Sequence, residues 1–166
     1  MDARLLPKYV PRDNAASRAR RVVEYFRWPP DGNPVCPTCG SRWPIYKETR
    51  NGQDGYYRCP SLHPRPAGSS KPLVSTVRTG TLLERSHLPL DKWLYCFWLY
   101  GRLPSQHRIP SAISLATAID VNRKTATSLL NDLYQIRYGE VSDDPANRFL
   151  VELMASLVRH SPLSRC

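Results

Sequence analysis

The chain has little or none of several things, and each shortage narrows what it can be. No apolar run approaches the ~18–20 residues that a membrane-spanning helix needs, and the opening MDARLLPKYV has no apolar core region of the kind a signal peptide carries. A soluble, cytoplasmic protein is expected. Acidic residues are scarce: 14 Asp+Glu stand against 24 Lys+Arg, a formal charge of +10 on 166 residues. An excess that large favours an anionic partner such as nucleic acid over a membrane. Cysteines number five. With an odd count and two of them locked in one CxxC, metal binding in a reducing cytoplasm fits better than a disulfide framework. A second CxxC is missing. No acid or base is spaced to exploit a metal-bound water, so a non-enzymatic protein is expected. The hydrophobic fraction of 41% is nonetheless that of a folded chain, long enough for one domain or two small ones.

Four stretches follow from the pattern. Residues 1–17 carry prolines and no sustained periodicity, which suits a basic, flexible arm. Residues 18–80 hold a short helix and a group of strands. In SRARRVVEYFRW, Val22, Val23, Tyr25 and Phe26 fall among Arg18, Arg20, Arg21 and Arg27, an amphipathic pattern stopped by Pro29 and Pro30. Tyr25 and Phe26 are expected to cap a small core. Beyond them NGQDG reads as a hairpin turn between WPIYKETR and YYRC.

Within that hairpin lie the strongest chemical signals. Cys36 and Cys39 form one metal-binding knuckle, with Gly40 supplying the open backbone that turns amides toward thiolates. Cys59 belongs to the second knuckle, and the nearest competent fourth ligand is His63, giving a Cys3His set. His87, in ERSHLPLDKW, is the reserve ligand and better suits the approach to a helix. Three thiolates and an imidazole close the coordination shell. One structural Zn2+ is therefore expected, on which a segment with so few aliphatic residues depends for folding. Pro60 and Pro64 threaten to distort the second knuckle.

After Gly80 the periodicity becomes helical. Residues 81–138 begin with SHLPLDKWLYCFWLYG, where Leu90, Trp93, Leu94, Phe97 and Trp98 form one stripe, and Cys96 reads as a small buried apolar residue. GRLPSQHRIP is a proline-bounded loop. In SAISLATAIDVNRKTATSLLNDLYQIR, a helix around Ile113, Leu115, Ala116 and Ile119 meets a tight turn at Asp120 and Val121. Asn122 then caps a second helix with Ala126, Leu129, Leu130 and Leu133 inward. That is the layout of a helix-turn-helix, with Arg123, Lys124, Thr127 and Ser128 on its groove-facing side. Asp120 occupies a position where such turns often have glycine. Residues 139–166 form a helical tail, in which Asp143 and Asp144 start a helix and Leu150, Leu153, Met154, Leu157 and Val158 make an apolar stripe.

RWPPDGNPVCPTCGS, YYRC, VRTGTLLERSHLPLDKW and SLATAIDVNRKTATSLLNDLYQIR, in that order, resemble the N-terminal region of bacterial insertion-sequence transposases of the zinc-ribbon type. The likeness covers about residues 20–137. It implies that Cys36, Cys39 and Cys59 bind zinc and that the helix from Asn122 to Arg137 approaches DNA. In the family a nuclease domain follows, whereas the tail after Arg137 cannot house one. The family's second knuckle usually carries another cysteine where His63 is read here. HPRPAGSSKPLVST is also longer than the family's usual link to its VRTGT-like strand.

The expected whole is an α+β chain: a small zinc ribbon followed by a helix-turn-helix module. It would bind double-stranded DNA with sequence preference, as a bacterial or phage-encoded, nucleoid-associated transcription regulator built from transposase-like parts. Arg123 and Lys124 would probe the major groove, while Arg18, Arg20, Arg21 and Lys71 contact phosphates. Two other readings stand beside it: an adaptor that docks on RNA polymerase or another transcription component, and a truncated transposase accessory that binds element ends.

Overall fold

The structure is a computed structural model and describes residues 15–28, 33–42, 46–50, 53–64, 70–102, 110–139 and 143–159. Among them the chain is mixed α/β, with five helices and one antiparallel sheet. The elements are α1 (Ala15–Arg27), β1 (Tyr46–Arg50), β2 (Gln53–Pro64), β3 (Ser70–Thr76), α2 (Leu90–Gly101), α3 (Ala112–Ile119), α4 (Arg123–Tyr138) and α5 (Arg148–Arg159). The three strands lie in the order β1-β2-β3. Two compact units form, one spanning Ser17–Ser86 and the other comprising Met1–Ala16 with His87–Cys166. Residues 81–86 thus group with the sheet, and the C-terminal tail groups with the other helices. No described helix is long and apolar enough to cross a membrane.

In the sheet unit α1 begins at Ala15, inside the stretch read as a flexible arm, whose first 14 residues lie outside the described ones. Ala19 and Val23 are buried on one side of the helix, and Trp28 just beyond it meets Tyr57 of β2 edge-on at a ring distance of 5.2 Å. The Tyr57 hydroxyl donates to Glu24, and burial raises its pKa well above the ordinary phenol value. Arg27 is not a surface cation. Its guanidinium donates to the carbonyls of Thr76 (3.4 Å), Val77 and Thr79 (2.5 Å), and burial pulls its pKa down to about 10. Val77–Gly80 is accordingly a turn clamped by α1, with Gly80 at φ 75, and not the strand that the likeness to VRTGT suggests. Phe26 is half-buried, but Tyr25 is 58% exposed. The expectation that both rings cap the core fails for Tyr25, because the helix turns it away from the sheet.

The first hairpin is tighter than NGQDG implied. Arg50 pairs with Gln53, so Gln53, Asp54 and Gly55 extend β2, and the connection shrinks to Asn51 and Gly52, which lie outside the described residues. Gly55 adopts φ 101, and a Cβ there would lie 2.7 Å from Arg20 Cδ. The positive φ is what requires glycine there, while the Arg20 side chain lies over the space beside its Cα.

In the helical unit α2 packs on α5 and α3 on α4. The buried face of α2 is Trp93, Cys96, Phe97, Leu99 and Tyr100. Leu90, Leu94 and Trp98 of the expected stripe are only half-buried. An almost wholly apolar helix has no polar side to fix its orientation, so its neighbours decide which residues go inside. Cys96 is fully buried, which pushes its thiol pKa up to about 12 and makes it an inert core residue. On α5, Phe149, Leu150, Leu153 and Met154 are buried while Leu157 and Val158 are half-exposed. Asp143 and Asp144 do not start this helix but lie in the turn ahead of it, where the Asp144 carboxylate accepts from the Ala146 amide (2.9 Å) and from Asn147 Nδ2 (2.8 Å) and its carbonyl from the Arg148 amide (3.0 Å).

The α3–α4 pair follows the sequence closely. Ser111 caps α3, accepting from the Ser114 amide at 3.1 Å, and Asn122 Oδ1 caps α4, accepting from the Thr125 amide at 2.8 Å. Asp120 takes the left-handed conformation at φ 53, ψ 67, one that aspartate tolerates better than most residues. The Val121 amide then bonds back to the Ala116 carbonyl at 3.1 Å. Ala126, Leu129, Leu133 and Ile136 face inward, with Leu130 half-buried instead.

At Gly101 α5 packs directly against the backbone of α2. A Cβ there would lie 2.5 Å from Val158 Cγ2 and 3.2 Å from Met154 Cγ. Overpacking of that kind costs ~1–3 kcal/mol, more than the ~1 kcal/mol that alanine gains over glycine in a helix. Gly101→Ala should therefore lower the thermal unfolding midpoint, and adding Val158→Ala should restore part of the loss.

Candidate metal centre

The first knuckle is a turn at Pro37–Cys39 closed at both ends by the backbone. The Gly40 amide donates to the Cys36 carbonyl at 2.9 Å, and the Cys36 amide to the Ser41 carbonyl at 2.9 Å. Gly40 holds φ 68 with open space around its Cα, so glycine is needed there for its backbone freedom, not for close packing. The turn aims amides at the thiols. The Ser41 N–H lowers the Cys39 pKa. Burial raises that of Cys36, against the pull of the Cys39 and Thr38 amides.

The second pair comes from a break in β2. Pairing with β3 runs through Arg58↔Val74 and resumes at Leu62↔Pro72, so Cys59, Pro60 and Ser61 stand opposite the single residue Leu73. In a straight strand Cys59 and His63 would be roughly 13 Å apart, four steps of ~3.3 Å, too far to share an ion. The bulge gathers the strand and brings both to one place. Pro60 fits there because a bulged residue has no ladder bond to donate. Pro60, read from sequence as a threat to the knuckle, lies in the unpaired stretch between Arg58 and Leu62. Cys59 and His63 are buried, while Pro60, Ser61 and Leu62 are exposed.

The four donors converge. The Sγ atoms of Cys36, Cys39 and Cys59 and a ring nitrogen of His63 all lie within 4.8 Å of one another. Cys36 Sγ is 3.6 Å from His63 Nε2, and Cys39 Sγ is 3.8 Å from Cys59 Sγ. All three cysteines are free thiols. Three soft sulfurs and an imidazole at these separations can hold a metal ion, with Cys39 at the solvent edge and the other three inside. His87 takes no part: it is exposed and belongs to the other compact unit.

The residues read as DNA contacts divide into different situations. Arg123, Lys124, Thr127 and Ser128 are all exposed on the first two turns of α4, although the Thr127 hydroxyl bonds back to the Arg123 carbonyl at 3.0 Å. Arg18 and Arg21 are exposed on α1. Arg20 is committed within the fold, its Nε 3.2 Å from Glu24 and its chain packed on Gly55. Lys71 pairs with His63 in the sheet register, and its side chain lies outside the described residues. Sequence reasoning missed the Arg27 clamp. The only signal for it was an arginine on the same side of α1 as Ala19 and Val23.

With Cys166 replaced by serine to remove a thiol outside the described residues, the metal-loaded protein should react slowly with a thiol reagent. Chelator should release three fast-reacting thiols, and the fourth, Cys96, should appear only in denaturant. Three fast thiols without chelator would show that no metal protects the cluster. No known protein family, curated protein or solved structure matches the chain.

Proposed function

We propose that the chain is a zinc-stabilised, non-enzymatic protein that binds double-stranded DNA with sequence preference through α3 and α4. The observation that carries this is the start of α4: a left-handed turn at Asp120, a cap at Asn122, and then four exposed polar side chains, Arg123, Lys124, Thr127 and Ser128, opposite a buried Ala126, Leu129 and Leu133 face. A helix so anchored presents its first turns to a major groove, where only the leading side chains reach base edges. Arg123 and Lys124 are long donors suited to guanine O6 and N7. The charge of +10 supports a polyanionic partner, and the likeness to the DNA-binding region of insertion-sequence transposases belongs to this proposal.

The metal is zinc in this reading. A tetrahedral zinc with sulfur at ~2.3 Å and imidazole nitrogen at ~2.0–2.1 Å has S···S edges of about 3.8 Å and S···N edges of about 3.6 Å. Two of the six separations in the cluster, Cys39 Sγ to Cys59 Sγ at 3.8 Å and Cys36 Sγ to His63 Nε2 at 3.6 Å, match these edges, and all six lie within 4.8 Å. Four protein ligands leave no open position for water or substrate, so the ion is structural. One zinc per chain is expected by metal analysis. His63→Ala should lower zinc affinity, whereas His87→Ala should leave it unchanged.

The test of DNA reading is selection of bound sequences from a random duplex pool, followed by Arg123→Ala and Lys124→Ala. Each substitution should relax preference at particular base pairs and cost ~1–3 kcal/mol per lost specific contact, with zinc content and unfolding midpoint unchanged because both side chains are exposed. If the double variant keeps its affinity and preference for duplex while losing capture of RNA polymerase, α4 is a protein-docking helix and the proposal is wrong.

A further inference from the structure

The α1 helix carries four arginines, and the fold uses only two. Arg27 is clamped on the carbonyls of residues 76–79, and Arg20 is paired with Glu24 and packed on Gly55. Glu24 is the helix's one acid, engaged by Arg20 and by the Tyr57 hydroxyl. Arg18 and Arg21 remain exposed, and neither makes a polar contact with another described residue. At 3.6 residues per turn, positions 18, 21 and 25 fall within about 60° of one another. That side lies opposite Ala19, Val23 and Arg27 and carries Tyr25, 58% exposed and set perpendicular to Phe26 at 5.7 Å. On the far side of the helix Trp28 meets Tyr57 and Arg27 bonds to the carbonyls of Thr76, Val77 and Thr79.

We infer that this face of α1 is a binding site for unpaired nucleic acid, with Arg18 and Arg21 on phosphates and Tyr25 stacked on a base. Two exposed guanidinium groups with no acidic partner among the described residues match a phosphodiester backbone. The tyrosine decides what kind of backbone. In a duplex the base faces are covered by their neighbours, and a ring on a helix surface gains nothing from them. In a single strand every base offers a π-face, and cations that track the backbone beside a ring that stacks on a base are the combination that sequence-tolerant binding uses; along α1 the two arginines precede the ring. Nothing in this face reads base edges or a 2′-hydroxyl, so it should accept unpaired DNA and RNA alike. The site is independent of duplex reading by α4. It adds a second ligand, the unpaired strand, to the duplex proposed above.

The experiment uses the full chain with zinc and two labelled probes, a dT 12-mer and an rU 12-mer, alongside the selected duplex. The wild type should bind both single strands with similar affinity. Tyr25→Ala should weaken that binding at least about fivefold, the lower end of what one base–aromatic stack contributes. Tyr25→Phe should stay within about twofold of wild type, since the ring face is kept. Changing both Arg18 and Arg21 to Ala should reduce the salt slope by about 1.4, twice the ~0.7 per phosphate of a single strand. The exposed ring can be removed without unfolding the chain, which an unchanged unfolding midpoint checks. Binding of only one of the two probes, still sensitive to Tyr25→Ala, would support the site and name its source. No binding of either, or unchanged binding by Tyr25→Ala, would overturn it. The Arg123 and Lys124 double substitution should leave single-strand affinity intact while altering duplex preference, so failure of the α1 site and failure of the α4 reading give different results.

Discussion

Everything in the sheet unit is arranged around one geometric demand, that four donor atoms from two separated segments come within 4.8 Å of one another. The CPTCG turn supplies two of them almost unaided, because a turn with a left-handed glycine places both thiols on one side. The other two come from a strand, and an extended strand is the wrong shape for the task. The break opposite Leu73 resolves the conflict by giving up ladder pairing at Cys59, Pro60 and Ser61. The bulge would be a defect in a sheet held by hydrogen bonds alone. It becomes the organising feature once a metal ion bridges the strand to the knuckle. The apolar core of the unit is modest, chiefly Ala19, Val23, Trp28, Tyr57, Val77 and Leu83, and a core of that size seldom holds a small domain without a metal or a cross-link.

The distribution of arginines shows why net charge is a poor guide to an interface. The composition gives +10, but two of the four cations on α1 are internal fixtures. Arg27 loses solvation and stays bonded to three carbonyls, as a guanidinium with five donors can. Arg20 fills the space that glycine leaves at position 55. A tally of basic residues counts these equally with Arg18 and Arg21, although only the latter pair is available to a ligand. What marks the outward face is the combination of exposed cations, unpartnered among the described residues, with an exposed aromatic ring.

Local signals were legible in the sequence and long-range ones were not. The CxxC turn, the pairing of Cys59 with His63, the cap at Asn122 and the helices on either side of Asp120 depend on residues a few positions apart, where side-chain chemistry dictates backbone geometry directly. The α2 stripe holds only for Trp93 and Phe97, because the sequence LDKWLYCFWLYG is apolar on nearly every side, and burial there depends on α5, some fifty residues further along. The likeness to the family's VRTGT-like strand does not carry over to residues 77–80, because the residue that clamps them as a turn, Arg27, lies about fifty residues earlier. Tyr25 was placed in the core because an aromatic beside Phe26 satisfies the helical pattern from either side. Only the position of the sheet selects between them.

The turn before α4 couples stability to presentation. A residue with a Cβ at φ 53 is strained by roughly 1–2 kcal/mol, so Asp120 must be held in place by its surroundings. The Val121 amide bonds back to Ala116 from the C-terminal side, and from outside the pair Lys92 of α2 reaches the Asp120 carbonyl at 3.2 Å. The second bond ties the helix that packs on α5 to the joint that aims α4. Because Asn122 caps α4 two residues later, the direction of its first turn, and with it of Arg123 and Lys124, is set by three helices and not by the α3–α4 pair alone. The proposed reading of base edges by α4 would need such fixing, because a donor that swings freely loses on ordering much of what a hydrogen bond contributes. Glycine at position 120 would relieve the strain and loosen the same joint. That opposition accounts for an aspartate in a conformation that favours glycine.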